Sequence, residues 1–325
     1  GRSSMQQLTS GTGHVAIGFE TLNANTNGAS NTAVGYQALK TNTSASFNTA
    51  VGYQALAANI TGANNTAIGY QAGAALTTAS SNVAIGSGAL KVATANSSNV
   101  AIGLNAMQTA TTGGYFGFGL NVAIGQGAMN LLTTGYMNVA VGAGALQTAT
   151  TAQSNVAIGF YALKVSTASS NIAIGTNALL ANTTGSSLIA IGNSALLANT
   201  TGAQNIAIGT DALRANTIGT GNVGIGLNAL KANTTGINNT AIGTSALAAN
   251  TVGSRNVALG GGALPVSTVD GLIAIGSGAL NKNTTGTGNL AIGDSALLAN
   301  TTGTSNIAIG TQSLYSAVTA SGNLA

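Results

Sequence analysis

Four acids and one histidine are all the carboxylate side chains and imidazoles in 325 residues: Glu20, Asp211, Asp270, Asp294 and His14. Glycoside hydrolysis needs two carboxylates about 5 to 9.5 Å apart. Asp211 and Asp294 stand five repeats apart, which at about 4.8 Å per stacked strand is on the order of 24 Å. A Ser-His-acid arrangement would have to recruit His14, which occupies a slot that is asparagine in most other repeats. The chain has no cysteine, so thiolate metal sites and disulfides are excluded, and one histidine with scattered acids does not make a metal centre. The many Gly-x-Gly fragments are never followed by Gly-Lys-Ser/Thr, so they are not phosphate loops. These residues predict no enzyme, no metal and no cofactor.

The slot that holds His14 belongs to an internal repeat, and the repeat sets the architecture. Glycines closing Ala-Ile-Gly or a close variant fall at 18, 35, 52, 69, 86, 103, 125, 142, 159, 175, 192, 209, 226, 243, 260, 276, 293 and 310. The step is 17 residues, apart from one step of 22 (Gly103 to Gly125) and two of 16. Each unit reads Asn, a β-branched residue, Ala, Ile or Val, Gly, two variable residues, Ala-Leu, two more, and often Asn-Thr-Thr-Gly. Seventeen residues are too few for a helical-hairpin repeat of about 34 and suit one coil of a β-solenoid. The expectation is an all-β solenoid, or β-roll, of about 19 coils, on the order of 90 Å long at about 4.8 Å per coil. Residues 1–325 read as one repetitive shaft with a five-residue insertion within 104–124. Each coil is expected to carry two short strands, one at Asn-x-Ala-Ile and one around x-Ala-Leu.

The asparagine that opens the unit recurs in 15 of the 18 glycine-marked repeats, among them Asn31, Asn48, Asn65, Asn82, Asn99, Asn205, Asn289 and Asn306; His14, Leu188 and Leu272 replace it. Stacked asparagines can form a hydrogen-bonded ladder that also satisfies turn backbone. Glycine after the isoleucine permits a bend that a Cβ resists.

Alternation inside the strand carries a further consequence. Neighbouring side chains point to opposite faces, so Ala84 and Ile85 face opposite ways, yet both slots are apolar in nearly every repeat. One face fills the coil, and the other would expose an apolar stripe larger than monomers tolerate. Parallel chains around a common axis would cover it, and a parallel homotrimer is the expected assembly.

Charge is sparse: eight Lys plus Arg against four Asp plus Glu. Five of the bases, Lys40, Lys91, Lys164, Arg214 and Lys231, directly follow the leucine of their repeat and form an edge row. Such spacing is too open for a polyanion stripe and reads as a solubilising edge, so no nucleic-acid partner is expected. No apolar run reaches about 18 residues, so no membrane insertion is expected either. The insertion holds Tyr115, Phe116 and Phe118, three of twelve aromatics. It reads either as a loop covering its neighbours or as a protruding contact for a receptor sugar or protein, since aromatics anchor recognition surfaces.

With "NTAIGYQAL" and "SNVAIGSGAL" in view, the chain resembles the head repeats of YadA-like trimeric autotransporter adhesins. It resembles still more the shaft repeats of phage tail fibres. The likeness runs from about residue 14 to 325. It implies a homotrimer, an extracellular place on a virion or cell surface, and host attachment through a glycan or protein receptor. Adhesin head repeats average shorter than 17 residues, and no neck, stalk or anchor segment is visible, so virion and cell surface both stay open. The register reaches both ends, with Met5 in the leucine slot and "GNLA" closing the sequence. This predicts a window from a longer repetitive chain, its anchor and tip domains elsewhere, or a chain that stacks end to end. Two other readings stand beside the fibre shaft: an ice-binding solenoid, and a polymerising extracellular filament subunit.

Overall fold

The computed structural model describes residues 1–110 and 119–325. They form two compact units, Gly1–Ser169 and Ser170–Ala325, and one coil architecture fills both. Nine three-residue strands run through the first unit, from β1 (Val15–Ile17) to β9 (Val156–Ile158); nine run through the second, from β10 (Ile172–Ile174) to β18 (Ile307–Ile309). Within each unit successive strands pair parallel and in register, so that Ala33 faces Ala50 and Ala50 faces Ala67. The fold is therefore a parallel β-solenoid, without helices among the described residues. The long step and the second of the two short ones are absorbed outside the strands, since Val100 still pairs with Val122 and Val257 with Ile273. Eighteen strands appear among the described residues, against about 19 coils expected from the repeat. The last partial coil adds one isolated bridge, Ile307 to Leu324.

Each coil encloses a thin core. The central strand alanine points inward and is fully buried, as at Ala33, and the Ala38-Leu39 pair of the same coil is fully buried with it. Small strand residues let the walls approach, and one leucine or methionine per coil fills what remains. The exception tests the rule: Gly73 stands in the leucine slot, and Leu76 lies three residues on, where most second-unit coils carry asparagine. A Cβ at Gly73 would come within 3.0 Å of both Leu56 Cδ2 and Leu76 Cδ1. Leu76 thus reaches into the volume that the missing leucine leaves.

The second strand expected around x-Ala-Leu does not form. That segment is a turn in which left-handed residues flank the alanine: Gln37 has φ 56° and Leu39 has φ 50°. Their N–H groups point to opposite neighbours, Gln37 donating to Phe19 O (2.9 Å) and Leu39 to Ala55 O (3.0 Å). The coil stays hydrogen-bonded along the stack without being extended. A left-handed non-glycine residue costs about 1–3 kcal/mol, and this turn holds two; burying the leucine returns about 1.5–3 kcal/mol toward that cost. Among the described residues no Val, Ile or Thr is left-handed, a conformation that their branched Cβ disfavours.

Glycine after the isoleucine has two reasons. Gly35 has φ 126°, and a Cβ there would lie 2.5 Å from Gly52 O in the next coil. Stacked coils therefore approach backbone to backbone along this edge.

Candidate functional surface

The interior is built on two asparagine ladders. In the first, Asn48 N–H donates to Asn31 Oδ1 (3.0 Å), while Asn48 Nδ2 donates to Gly62 O (2.9 Å). The link repeats from Asn65 and Asn82 to Asn99, and Asn121 N–H reaches Asn99 Oδ1 across the long step at 3.2 Å. Asn205 accepts from Asn222 N–H, and Asn289 from Asn306 N–H. His14 takes part through its ring: Nδ1 accepts from Asn31 N–H at 3.3 Å, and Nε2 lies 3.2 Å from Asn25 Nδ2. Leu188 and Leu272 still donate their N–H to the preceding asparagine but offer the next coil no side-chain acceptor.

The second ladder was not expected. It runs through the turn asparagines, with Asn42 Nδ2 donating to Asn25 Oδ1 (2.9 Å) and Asn59 Nδ2 to Asn42 Oδ1 (2.8 Å). In the second unit it joins Asn182, Asn199, Asn216, Asn233 and Asn250. Each amide also donates to the carbonyl three residues on, as Asn59 does to Gly62 O (3.0 Å). The links are directional, so the last member has an oxygen without a donor. Asn59, Asn250 and Asn300 each carry a buried, unpartnered Oδ1. Leu76 and Ser267 occupy the slots that follow Asn59 and Asn250.

Outside, three features follow the coil edges. The first is the outward strand face. Flanking each buried alanine, the other two strand residues point out, and Ile68, Ile124, Ile158, Ile208, Ile242 and Ile273 are each 36–42% exposed. Because the strands are in register, these side chains form an apolar stripe along each unit.

The second feature follows the glycine ladder. Phe19, Tyr36, Tyr53 and Tyr70 stack with centroids 5.1–5.4 Å apart and planes within 15°. Beside them Gln71, Gln54 and Gln37 donate in turn, ending on Glu20 (2.8 Å). Lys40 Nζ meets the same carboxylate at 2.8 Å. Its bond and that from Gln37 hold the Glu20 carboxyl below the ordinary glutamate pKa. The recurrence of Tyr-Gln at 17-residue spacing signals this stack.

The third feature is the basic row. Lys40 pairs with Glu20, Arg214 and Lys231 both reach Asp211 (3.6 and 3.3 Å), and Lys164 Nζ sits 4.1 Å over the Tyr161 ring. Among the described residues Lys91 has no ion pair. Between Arg214 and Lys231 the row borders an open depression of about 540 Å³ floored by Ala198, Ala215, Ala232 and Ala249. Asp270 pairs with Arg255 at 3.1 Å. Among the described residues no three His, Cys, Asp or Glu side chains cluster as metal ligands, and no helix is long and apolar enough to cross a membrane. Tyr115, Phe116 and Phe118 lie outside the described residues.

The fold and its ladders define the class: a parallel β-solenoid with amide-lined corners and an apolar outward sheet face. Neither a protein-family model nor a curated protein sequence matches this chain.

Proposed function

We propose that this chain is the shaft of a trimeric surface fibre, on a virion or a bacterial cell, that holds a host-attachment tip away from its anchor. The observation that carries this reading is the outward strand face. Two β-branched or similar apolar residues per coil stand on it, in register and largely without charge, along each unit. A continuous stripe of this kind is larger than the apolar patches that monomers usually expose, and parallel copies packed strand face to strand face would remove it from water. Mechanically the chain works by stiffness: coils locked by backbone ladders and two amide ladders resist bending and proteolysis. Its role is structural, with no catalytic step and no cofactor.

The first test is the mass of the purified chain by light scattering or sedimentation. Three times the chain mass is the expected result. A monodisperse monomer would overturn the assembly and favour an ice-binding solenoid, for which the flat rank of Thr32, Thr49 and Thr66 beside Val34, Val51 and Ile68 is the best surface.

A further inference from the structure

The edge that carries the tyrosine and glutamine stacks in the early coils changes character later in the first unit. The slot of Gln37, Gln54 and Gln71 is taken by Asn105, Gly127, Gly144 and Tyr161 in four successive coils. The two glycines leave a notch of about 270 Å³ lined by Asn105, Gln126, Asn130, Gln147, Phe160 and Tyr161. A Cβ at Gly144 would strike the Tyr161 ring, so the ring lies down over that glycine. Phe160 stands against it with centroids 4.1 Å apart and is itself 50% exposed.

The amides differ from those of the early coils. Gln37, Gln54 and Gln71 bond one another. At the notch the side-chain amides of Asn105, Gln126 and Gln147 have no hydrogen-bond partner among the described residues, and Asn130 uses only its Nδ2, toward Asn105 O (3.0 Å) and Gln108 Oε1 (3.4 Å). Amides that both donate and accept, converging beside an aromatic wall, match a ligand whose groups also both donate and accept. No carboxylate, ammonium, guanidinium or imidazole lines the notch; the Lys164 ammonium sits over the Tyr161 ring. The volume is that of about nine waters at roughly 30 Å³ each, just under the lower end of drug-sized pockets at about 300 Å³.

We infer that this notch is a binding site for a single neutral pyranose, with the sugar ring against Phe160 and its hydroxyls bonded to Asn105, Gln126, Asn130 and Gln147. Aromatic rings give such a site area at little entropic cost, and the open amides fix which hydroxyls fit. The site stands on its own geometry and does not depend on chain number, so its test is read separately from the mass.

The test uses the whole chain and four probes: D-glucose, D-galactose, D-mannose and N-acetyl-D-glucosamine. Saturation-transfer NMR identifies binders, and a titration gives the affinity. At least one sugar is expected to bind with a Kd on the order of 1 mM, as suits so small a ligand. Two variants place residues that other coils already hold in the same slots. Gly127→Gln introduces the residue of Gln54, which adopts φ 54° in its own coil, and fills the notch. Phe160→Ser removes the wall and matches Ser87. Each should weaken binding by about tenfold or more while circular dichroism and melting stay as in the parent. No saturation transfer from any of the four sugars overturns the site, and so does unchanged affinity in both well-folded variants.

Discussion

One corner of the coil is built in two ways. Through most of the second unit, Asn182 to Asn250, it is a continuous amide ladder, while Leu76, Ala93, Ala110, Leu132, Ala149 and Ser166 fill the same slot from Leu76 to the end of the first unit. Both versions are buried, and both keep the strands in register. The backbone ladders therefore set the stacking, and the corner needs only to be filled and satisfied. An amide does this by donating to the turn carbonyl and to its neighbour. An apolar side chain does it by volume, as Leu76 does beside Gly73. The cost appears where the two versions meet, at the unpartnered oxygens of Asn59 and Asn250.

Cutting the ladder in its middle should have the largest effect. Asn216→Leu leaves Asn199 Oδ1 without its donor, removes one of the two amides that donate to Gly219 O, where Asn205 Nδ2 remains, and removes one acceptor of Asn233 Nδ2. One orphaned buried acceptor costs about 1–3 kcal/mol and a lost ladder bond about 1 kcal/mol, so a loss of about 2–4 kcal/mol is expected in urea unfolding. In the apolar corner Leu76→Asn should cost a similar amount, about 2–4 kcal/mol, by emptying the space beside Gly73. There the double variant Gly73→Leu with Leu76→Asn should return to within about 1 kcal/mol of the parent, because the two sites share one volume. It moves the unpartnered oxygen one coil along without removing it. Additive losses in that pair would show that the two versions of the corner are not interchangeable.

The outer edge offers a milder contrast. Tyr53 has a ring on either side, whereas Thr210 holds the same slot in the second unit. Tyr53→Ala should destabilise by about 1–2 kcal/mol, since aromatic pairs contribute about 0.5–1.5 kcal/mol each beyond area, while Thr210→Ala should stay within about 0.5 kcal/mol. Denaturant midpoints of the two variants decide this.

The smallest effect is electrostatic. The folded-state pKa of Glu20 is lowered by Lys40 and Gln37, so its contribution to stability is complete above the unfolded glutamate value and is lost as pH falls through the folded one. Because Glu20 lies at the surface, the change should be slight. Stability below about pH 4.5 should therefore fall slightly more in the parent than in Glu20→Gln, and an NMR titration of the carboxyl should place its midpoint below the ordinary range.

Periodicity made much of this molecule legible. A strict 17-residue step with a β-branched-Ala-Ile core admits a coil and little else, and the asparagine opening each strand needed only stacking to become a ladder. The misread strand shows the limit. Ala38 and Leu39 are consecutive and both buried, which an extended strand cannot provide. Left-handed residues on either side of the alanine turn both inward, and that alternation is a property of the traced backbone. The turn asparagines were hidden for a related reason. Asn-Thr-Thr-Gly reads as an exposed turn until the coil closes and directs the amide inside.

The sequence by itself determined the coil length, the register of the strands, the first ladder and the apolar character of both strand faces. These follow from residue type and spacing, which act locally and repeat. Only the tertiary structure decided which corner segments are extended, that a second amide ladder closes the turn, where aromatic and glutamine side chains stack, and where two glycines open a notch lined by amides. Each of those depends on contacts between residues 17 or more apart, and on the direction in which a side chain leaves a backbone whose left-handed turns the residue types permit but do not dictate.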